Sequence, residues 1–158
     1  MTVFVSWRSS YYNWFFKLID VPIFPNYNDG QIKLKWKITP KDEFTFLSLT
    51  AVDIFKLNLN AKNTVSNAYD LLTIPTNNQQ STTNGIKYTH FFENSSLQAI
   101  LSSSELFNQI DKYKNNNADS AHTQYYRSTQ AETKARLEWT KRHHGWKINV
   151  GGLSLIHI

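Results

Sequence analysis

The chain has 158 residues, a formal net charge of +5 and no cysteine. The absence of cysteine excludes a disulfide framework, a thiol nucleophile and a thiolate metal site. Aromatic residues make up 15% of the chain and charged residues only 18%, which is too aromatic and too weakly charged for a disordered tail. No uncharged apolar run approaches the roughly 20 residues that a membrane-spanning helix needs. The length fits one domain or a piece of a larger one.

The first residues lack the ordered basic, apolar and small-residue segments of a secretory signal. We therefore expect a chain that is cytosolic, mature or truncated upstream. The last five residues, with the sequence Ser-Leu-Ile-His-Ile, resemble a translated adaptor, and we expect 154–158 to be a non-native tail. The alternative is a short apolar C-terminal strand. The predicted domain therefore covers residues 1–153.

In chain order, the first clear strand covers residues 31–39. Its apolar side chains alternate with three lysines, which a helix would scatter around its circumference. Proline at position 40 predicts a tight turn over 40–42, and 43–57 is predicted as the returning strand. The alternation of the returning strand changes phase near Phe46, which predicts either a bulge there or two partly buried faces.

Four further segments are predicted as strands. Residues 85–92 and 146–150 alternate clearly. Residues 96–110 begin with apolar alternation but contain a sequence typical of a helix N-terminus, so the preference for a strand is weaker there. Residues 129–140 are rich in helix formers, yet strict alternation over twelve residues and a partner beyond a glycine turn favour a strand.

Short and long connections alternate along the chain. Short turns are predicted near 40–42, 93–95 and 142–145, and long polar loops near 11–30, 58–84 and 112–124. This arrangement predicts an all-β fold: an antiparallel up-and-down meander of about seven strands. It is also the layout of an outer-membrane barrel, so we expect an incomplete segment of a transmembrane β-barrel. A soluble β-sandwich is the alternative.

Aromatic residues gather near the short turns, as in the interfacial girdle of a membrane barrel. The predicted membrane-interface aromatics are Trp36, Phe91, Phe92, Trp139 and Trp146. In a soluble sandwich the tryptophans among them would fill a core instead.

No sequence motif of an enzyme, a metal site or a nucleotide-binding loop is present. The adjacent His143 and His144 fit a turn better than a metal site, because neighbouring strand residues point to opposite faces. A nucleic-acid interface would place aromatics on the basic face, but Trp36 lies opposite the lysines of its strand. We therefore expect no catalysis, no metal, no cofactor and no nucleic-acid partner.

Six stretches, in order, resemble the TonB-dependent receptors of Bacteroidetes-type outer membranes. They are SWRSSY at 6–11, DVPIFPNYND at 20–29, TPKDE at 39–43, AVDIFKLN at 51–58, KYTHFFEN at 87–94 and ETKARLE at 132–138. The set spans nearly residues 3–152. A full barrel of that family has 22 strands around a plug domain, so the resemblance implies an internal fragment of the barrel wall.

The resemblance also implies location and partners: the outer membrane of a Gram-negative bacterium, contact with outer-membrane lipid, and coupling to the TonB complex through a plug region absent from this sequence. The intact receptor would import a nutrient such as a siderophore or a glycan. Basic side chains facing the lumen would favour anionic ligands, and the candidates are Lys33, Lys35, Lys37, Lys87, Lys134, Arg136 and Lys147.

The competing functional hypothesis is a soluble β-sandwich adhesin or carbohydrate-binding module. In that case exposed loop aromatics, namely Tyr11, Tyr12 and Trp14, would stack on sugar rings.

Overall fold

The structure is a computed structural model that describes residues 1–10, 13–61 and 64–157. Its elements in chain order are β1 (Thr2–Ser9), α1 (Asn13–Leu18), β2 (Ile23–Lys37), β3 (Asp42–Leu57), α2 (Val65–Thr73), β4 (Thr76–Phe91), β5 (Ser95–Tyr113), a single 3-10 turn (Lys114–Asn116), β6 (His122–His143) and β7 (Trp146–His157). Strands account for 71% of the described residues.

The seven strands form one antiparallel sheet in which every strand pairs with its neighbour in sequence. The prediction of an all-β antiparallel meander is therefore confirmed. The sheet is open, because β1 and β7 lie at its two ends and do not pair with each other. Each edge strand thus has one side without a partner strand within the part of the chain that the structure describes.

The predicted alternation of connection lengths is confirmed. Residues 38–41, 92–94 and 144–145 form the short connections, and 10–22, 58–75 and 114–121 form the long ones. The two largest boundary errors concern β2, which begins at Ile23, and β4, which begins at Thr76, so 23–30 and 76–84 lie in strands. Residues 28–30 and 78–84 pair with a strand on each side, whereas 23–27 pair with β3 alone and 76–77 with β5 alone. These ladders hold the segments in a strand despite poor strand propensity.

The segments with competing helix signals are strands. Residues 96–110 lie in β5 and 129–140 in β6. No bulge interrupts β3 near Phe46, where its register with both neighbours is continuous. Residues 44–48 are half-buried on both faces instead, which was the other interpretation of the mixed phase. A register irregularity occurs elsewhere, at Lys112 and Tyr113 opposite β6.

β6 and β7 are joined by a two-residue connection. His144 has φ of 44° and Gly145 has φ of 82°, which are the positive values that a type I′ hairpin turn requires at both central positions. Residues 154–157 continue β7, and His157 pairs with Glu132 of β6. The non-native origin of this tail stays a prediction, whereas the tail itself has the conformation of a paired strand.

Asparagine amides join the three long connections to one another. Asn58 is 6% exposed and donates to the Val21 carbonyl at 3.1 Å. Asn67 donates to the Asp20 carbonyl at 2.8 Å. Asn116 donates to the carbonyls of Leu71 and Ile74, at 2.6 and 2.8 Å. Backbone carbonyls at a helix C-terminus lack partners within the helix. Asn116 therefore caps the C-terminus of α2 and attaches this helix to the third long connection.

Among the described residues, no helix is long and apolar enough to cross a membrane.

Candidate functional site

The two faces of the sheet differ in chemistry. Directly paired residues of neighbouring strands project from the same face, and successive residues of one strand alternate between faces. The register therefore places all seven predicted lumen candidates on one face, which we call the charged face: Lys33, Lys35, Lys37, Lys87, Lys134, Arg136 and Lys147. Their grouping on one surface agrees with the prediction, and their role in ligand binding is untested.

The formal net charge of the whole chain equals the net charge of this face. Its strands carry ten cationic side chains, Arg8, Lys112 and Arg142 in addition to the seven above, and five acidic ones, Asp29, Glu43, Asp53, Glu132 and Glu138. The opposite face has three of each sign: Lys56, Arg127 and Lys141 against Asp42, Glu105 and Asp111. The electrostatic field of the sheet is therefore one-sided.

Several cations of the charged face are paired with acids. Lys35 Nζ lies 3.0 Å from Glu43 Oε1, and the side chain of Glu43 is largely buried. Two further ion pairs lie within β6, between Lys134 and Glu132 and between Arg136 and Glu138. In contrast, Lys33 and Lys87 make no ion pair with any described residue.

The opposite face carries an apolar band across six strands, near the short connections. One row of paired residues consists of Val3, Leu34, Phe46, Ile86, Leu101 and Ala135. The next row consists of Trp36, Phe44, Tyr88, Ala99 and Leu137. Farther towards the long connections the same face is mainly polar, with Asn28, Thr50, Asn78, Gln80, Thr82 and Asn84. We call the two rows together the apolar band.

The pattern of side-chain burial is the reverse of that in a soluble domain, because apolar side chains of the sheet are exposed and some polar ones are buried. Leu101 of the apolar band is 47% exposed, whereas Glu43 and Thr89 of the charged face are 8% and 2% exposed. The buried hydrophobic side chains among the described residues are Ala61 and Leu71, and neither belongs to a strand. Two polar side chains are therefore buried on the charged face, which otherwise exposes most of its lysines, whereas the apolar band on the opposite face is uncovered.

The predicted interface aromatics divide between the faces. Trp36, Trp139 and Trp146 lie on the apolar side near the short connections and are 48%, 37% and 76% exposed. Phe91 projects from the charged face instead, because it is an odd-numbered residue of β4, like Lys87. Phe92 lies in the connection after β4, with its ring centroid 4.5 Å from that of His90. The three tryptophans therefore have the placement that an interfacial girdle needs, whereas Phe91 does not.

A cluster of polar side chains borders the apolar band next to the first short connection. Tyr88 donates to Asp42 Oδ1 at 2.6 Å, and His90 Nδ1 lies 2.7 Å from the same oxygen. Thr39 donates to the other carboxylate oxygen of Asp42. The cluster joins β3 and β4 to the turn, and sequence reasoning missed it because its members are up to 51 positions apart in the chain.

At the far end of the sheet, α1 and β2 form an aromatic cavity of about 450 Å³. Its lining consists of Trp14, Phe15, Phe16, Pro25 and Tyr27. Trp14 is 64% exposed, as the carbohydrate hypothesis expects of a stacking residue. The other two aromatics of that hypothesis, Tyr11 and Tyr12, lie outside the described residues.

Metal-ligating side chains are dispersed. Nowhere in residues 1–10, 13–61 and 64–157 do three His, Asp or Glu side chains gather in a group that could hold an ion. His143 and His144 have ring centroids 4.1 Å apart in the hairpin turn, where the predicted turn lies.

No protein-family model matches the sequence, and no curated protein matches it. Among solved structures, the chain is similar to the beta domain of the Bordetella autotransporter Brka, with a TM-score of 0.35 and 9% sequence identity. The match covers 85% of this chain and 51% of that domain, so this chain spans about half the length of the structure it matches.

Proposed function

We propose that this sheet forms part of the wall of an outer-membrane β-barrel. The apolar band would face lipid and the charged face would line a water-filled interior. The inverted burial carries the proposal, because barrels in membranes place apolar side chains outside and polar ones inside. An uncovered apolar band across six strands is an aggregation hazard in water but the expected surface in lipid.

Strand length supports the proposal. Strands β2 to β6 are 15 to 22 residues long, whereas about 9–11 tilted residues cross a bilayer. The excess would project beyond the lipid on the side of the long connections, where the face that carries the apolar band is mainly polar. The two edges without partner strands would pair with further strands of a closed barrel, since closure removes exposed edges.

The competing functions have less support. A β-sandwich requires a second sheet packed on the first, and the described residues form a single sheet. A single-strand nucleic-acid surface needs stacking aromatics among its basic side chains. Trp36 and Trp139 project from the opposite face, and two phenylalanines that share the basic face, Phe4 and Phe91, lie on the edge strand β1 and beside the second short connection. As barrel wall, the chain would bind or pass a ligand without catalysing a reaction.

Site-directed spin labelling of the full chain in phospholipid vesicles tests the barrel proposal. Because the native chain has no cysteine, single cysteines at Leu101, Ser102, Arg136 and Leu137 can each carry one nitroxide. Labels at 101 and 137 should collide mainly with oxygen, which concentrates in lipid. Labels at 102 and 136 should collide mainly with a water-soluble nickel complex. A label at Asn117 in the third long connection is the aqueous control.

The decisive result of that labelling is that the accessibility of the label to oxygen and to the nickel complex alternates between adjacent positions. If all four sheet labels were equally accessible to the nickel complex in vesicles, the sheet would not be inserted and the barrel proposal would be wrong.

We further propose that the intact protein is a TonB-dependent receptor that imports a nutrient across the outer membrane. The six ordered stretches that resemble this receptor family support the proposal, and an open sheet with two unpaired edges suits a section of a larger barrel. Its partners would then be outer-membrane lipid, the TonB complex through a plug domain, and the imported nutrient.

The gene that surrounds this sequence tests the receptor proposal. We expect it to encode a signal peptide and a plug domain upstream and further alternating strands downstream. Cells that carry the intact gene should lose uptake of the nutrient when TonB is deleted. A reading frame that encodes a soluble protein without a plug would contradict the receptor proposal and leave the barrel proposal to the labelling experiment.

A further inference from the structure

From the arrangement of the charged face, we infer a binding site for a small multivalent oxyanion, held by Lys33 and Lys87 above Gly85. The ligand class is a polycarboxylate or a phosphate. The inference rests on the proposed function only in requiring that the charged face meet water.

The register brings the two lysines to opposite sides of one depression. Lys33 pairs with Leu47, which pairs with Gly85, so Lys33 lies two strands from the glycine on the same face. Neighbouring strands are about 4.8 Å apart, and therefore about 10 Å separates those two backbones. Lys87 is the next residue of β4 on this face after Gly85. An extended lysine side chain spans more than half of the distance between the two backbones, so Lys33 reaches over Leu47 and Lys87 reaches over Gly85, and both ammonium groups face the same depression.

The floor of the depression combines hydroxyl groups with the apolar side chains of Leu47 and Ile100, and its lining also includes Glu43, whose carboxylate is paired with Lys35. Gly85 has no side chain, and a Cβ added there would meet nothing closer than 3.7 Å. Around it lie the hydroxyl side chains of Thr45, Thr83 and Ser102, which line the same cavity of about 380 Å³ as both lysines. Hydroxyl groups can donate to oxyanions, so cations and neutral donors converge on one space large enough for a small anion.

Charge distinguishes this depression from the neighbouring ones. Lys35 lines it too but is paired with Glu43, and the adjacent cavity places Lys134 and Arg136 next to Glu138. Lys33 and Lys87, in contrast, have no acidic partner among the described side chains. Two unneutralised ammonium groups on a face with a net positive field favour an anion.

Modification of a cysteine in the cavity tests the inference in the full chain in phospholipid vesicles. In a Ser102→Cys variant, the reaction rates with an anionic and a cationic methanethiosulfonate reagent report the local potential. We expect the anionic reagent to react about tenfold faster, since about 1.4 kcal/mol of electrostatic preference corresponds to a factor of ten. Millimolar citrate or inorganic phosphate should slow the reaction of both reagents with the thiol. The anion that slows the reaction more, citrate or phosphate, identifies the ligand class.

Matched variants separate the site from the general charge of the face. Lys33→Gln with Lys87→Gln should abolish the reagent preference and the protection. Lys37→Gln with Lys147→Gln removes the same charge elsewhere on this face and should leave both largely intact. Lys33→Arg with Lys87→Arg should retain them. Circular dichroism of each variant checks that the sheet is formed.

Two outcomes of the cysteine experiment distinguish failure of the oxyanion site from failure of the barrel proposal. If the thiol of the Ser102→Cys variant reacts with both reagents at similar rates and citrate and phosphate give no protection, the oxyanion site does not exist, and the barrel proposal is unaffected. If that thiol reacts with neither aqueous reagent, the charged face does not meet water, and the barrel proposal fails with the inference.

Discussion

Replacing Leu101 with arginine is expected to destabilise the sheet in a lipid bilayer by about 2–4 kcal/mol, the cost of a basic side chain on the lipid face of a barrel near the bilayer midplane. Leu101 lies in the apolar band between Ile86 and Ala135 and is 47% exposed. In lipid, the guanidinium would have neither water nor an acidic partner on that surface. Denaturant titration in phospholipid vesicles, followed by tryptophan fluorescence, measures the loss.

The next residue of the same strand supplies the control. Ser102→Arg introduces the same side chain on the charged face, in the cavity beside Gly85 that Lys33 and Lys87 also line. Water screens the like-charge repulsion there, so we expect a loss of at most about 1 kcal/mol, smaller than that for Leu101→Arg. Similar losses for Leu101→Arg and Ser102→Arg would mean that the two faces meet the same solvent, contrary to the barrel proposal.

Replacing Gly145 with valine is expected to destabilise the β6–β7 hairpin by about 1–3 kcal/mol, the range for a residue forced into a sparsely populated backbone conformation. Gly145 has φ of 82°, and a β-branched residue is a steric outlier there. The two-residue turn also fixes the register of the hairpin. Amide hydrogen exchange of β7, together with denaturant titration, measures local and global loss.

Gly152→Val is the matched control within the same hairpin. Gly152 lies in β7, where a Cβ would meet nothing within 4 Å and no positive φ is required. Valine has a higher strand propensity than glycine, so this substitution should be neutral or slightly stabilising. A loss for Gly152→Val as large as that for Gly145→Val would show that added bulk, and not turn conformation, is what the hairpin cannot accept.

Strand identity was predictable where alternation was strict. The three lysines of β2 and the alternating residues 129–140 give the correct structure and the correct faces. In β6 this holds against helix propensity, because pairing with two neighbours outweighs the few tenths of a kcal/mol per residue that propensity contributes. The sequence pattern therefore identifies the strands that carry all seven candidate cations.

Strand boundaries were predicted less well, for a physical reason. Residues 76–84 are asparagine, glutamine, threonine and serine, which locally favour turns. Their strand conformation depends on the ladders to β3 and β5, whose partners lie 19 to 36 positions away in the chain. A local pattern contains no information about those partners.

By itself, the sequence determined the all-β class, the order of short and long connections, and the separation of the candidate cations of β2, β6 and β7 from Trp36, Trp139 and Trp146 on opposite faces. These follow from the two-residue period of a strand and from turn chemistry, which are local properties. Only the tertiary structure decided which lysines are neutralised and that an uncovered apolar band crosses six strands. Those features depend on the register between strands, which sets every cross-strand neighbour and is not encoded in any single segment.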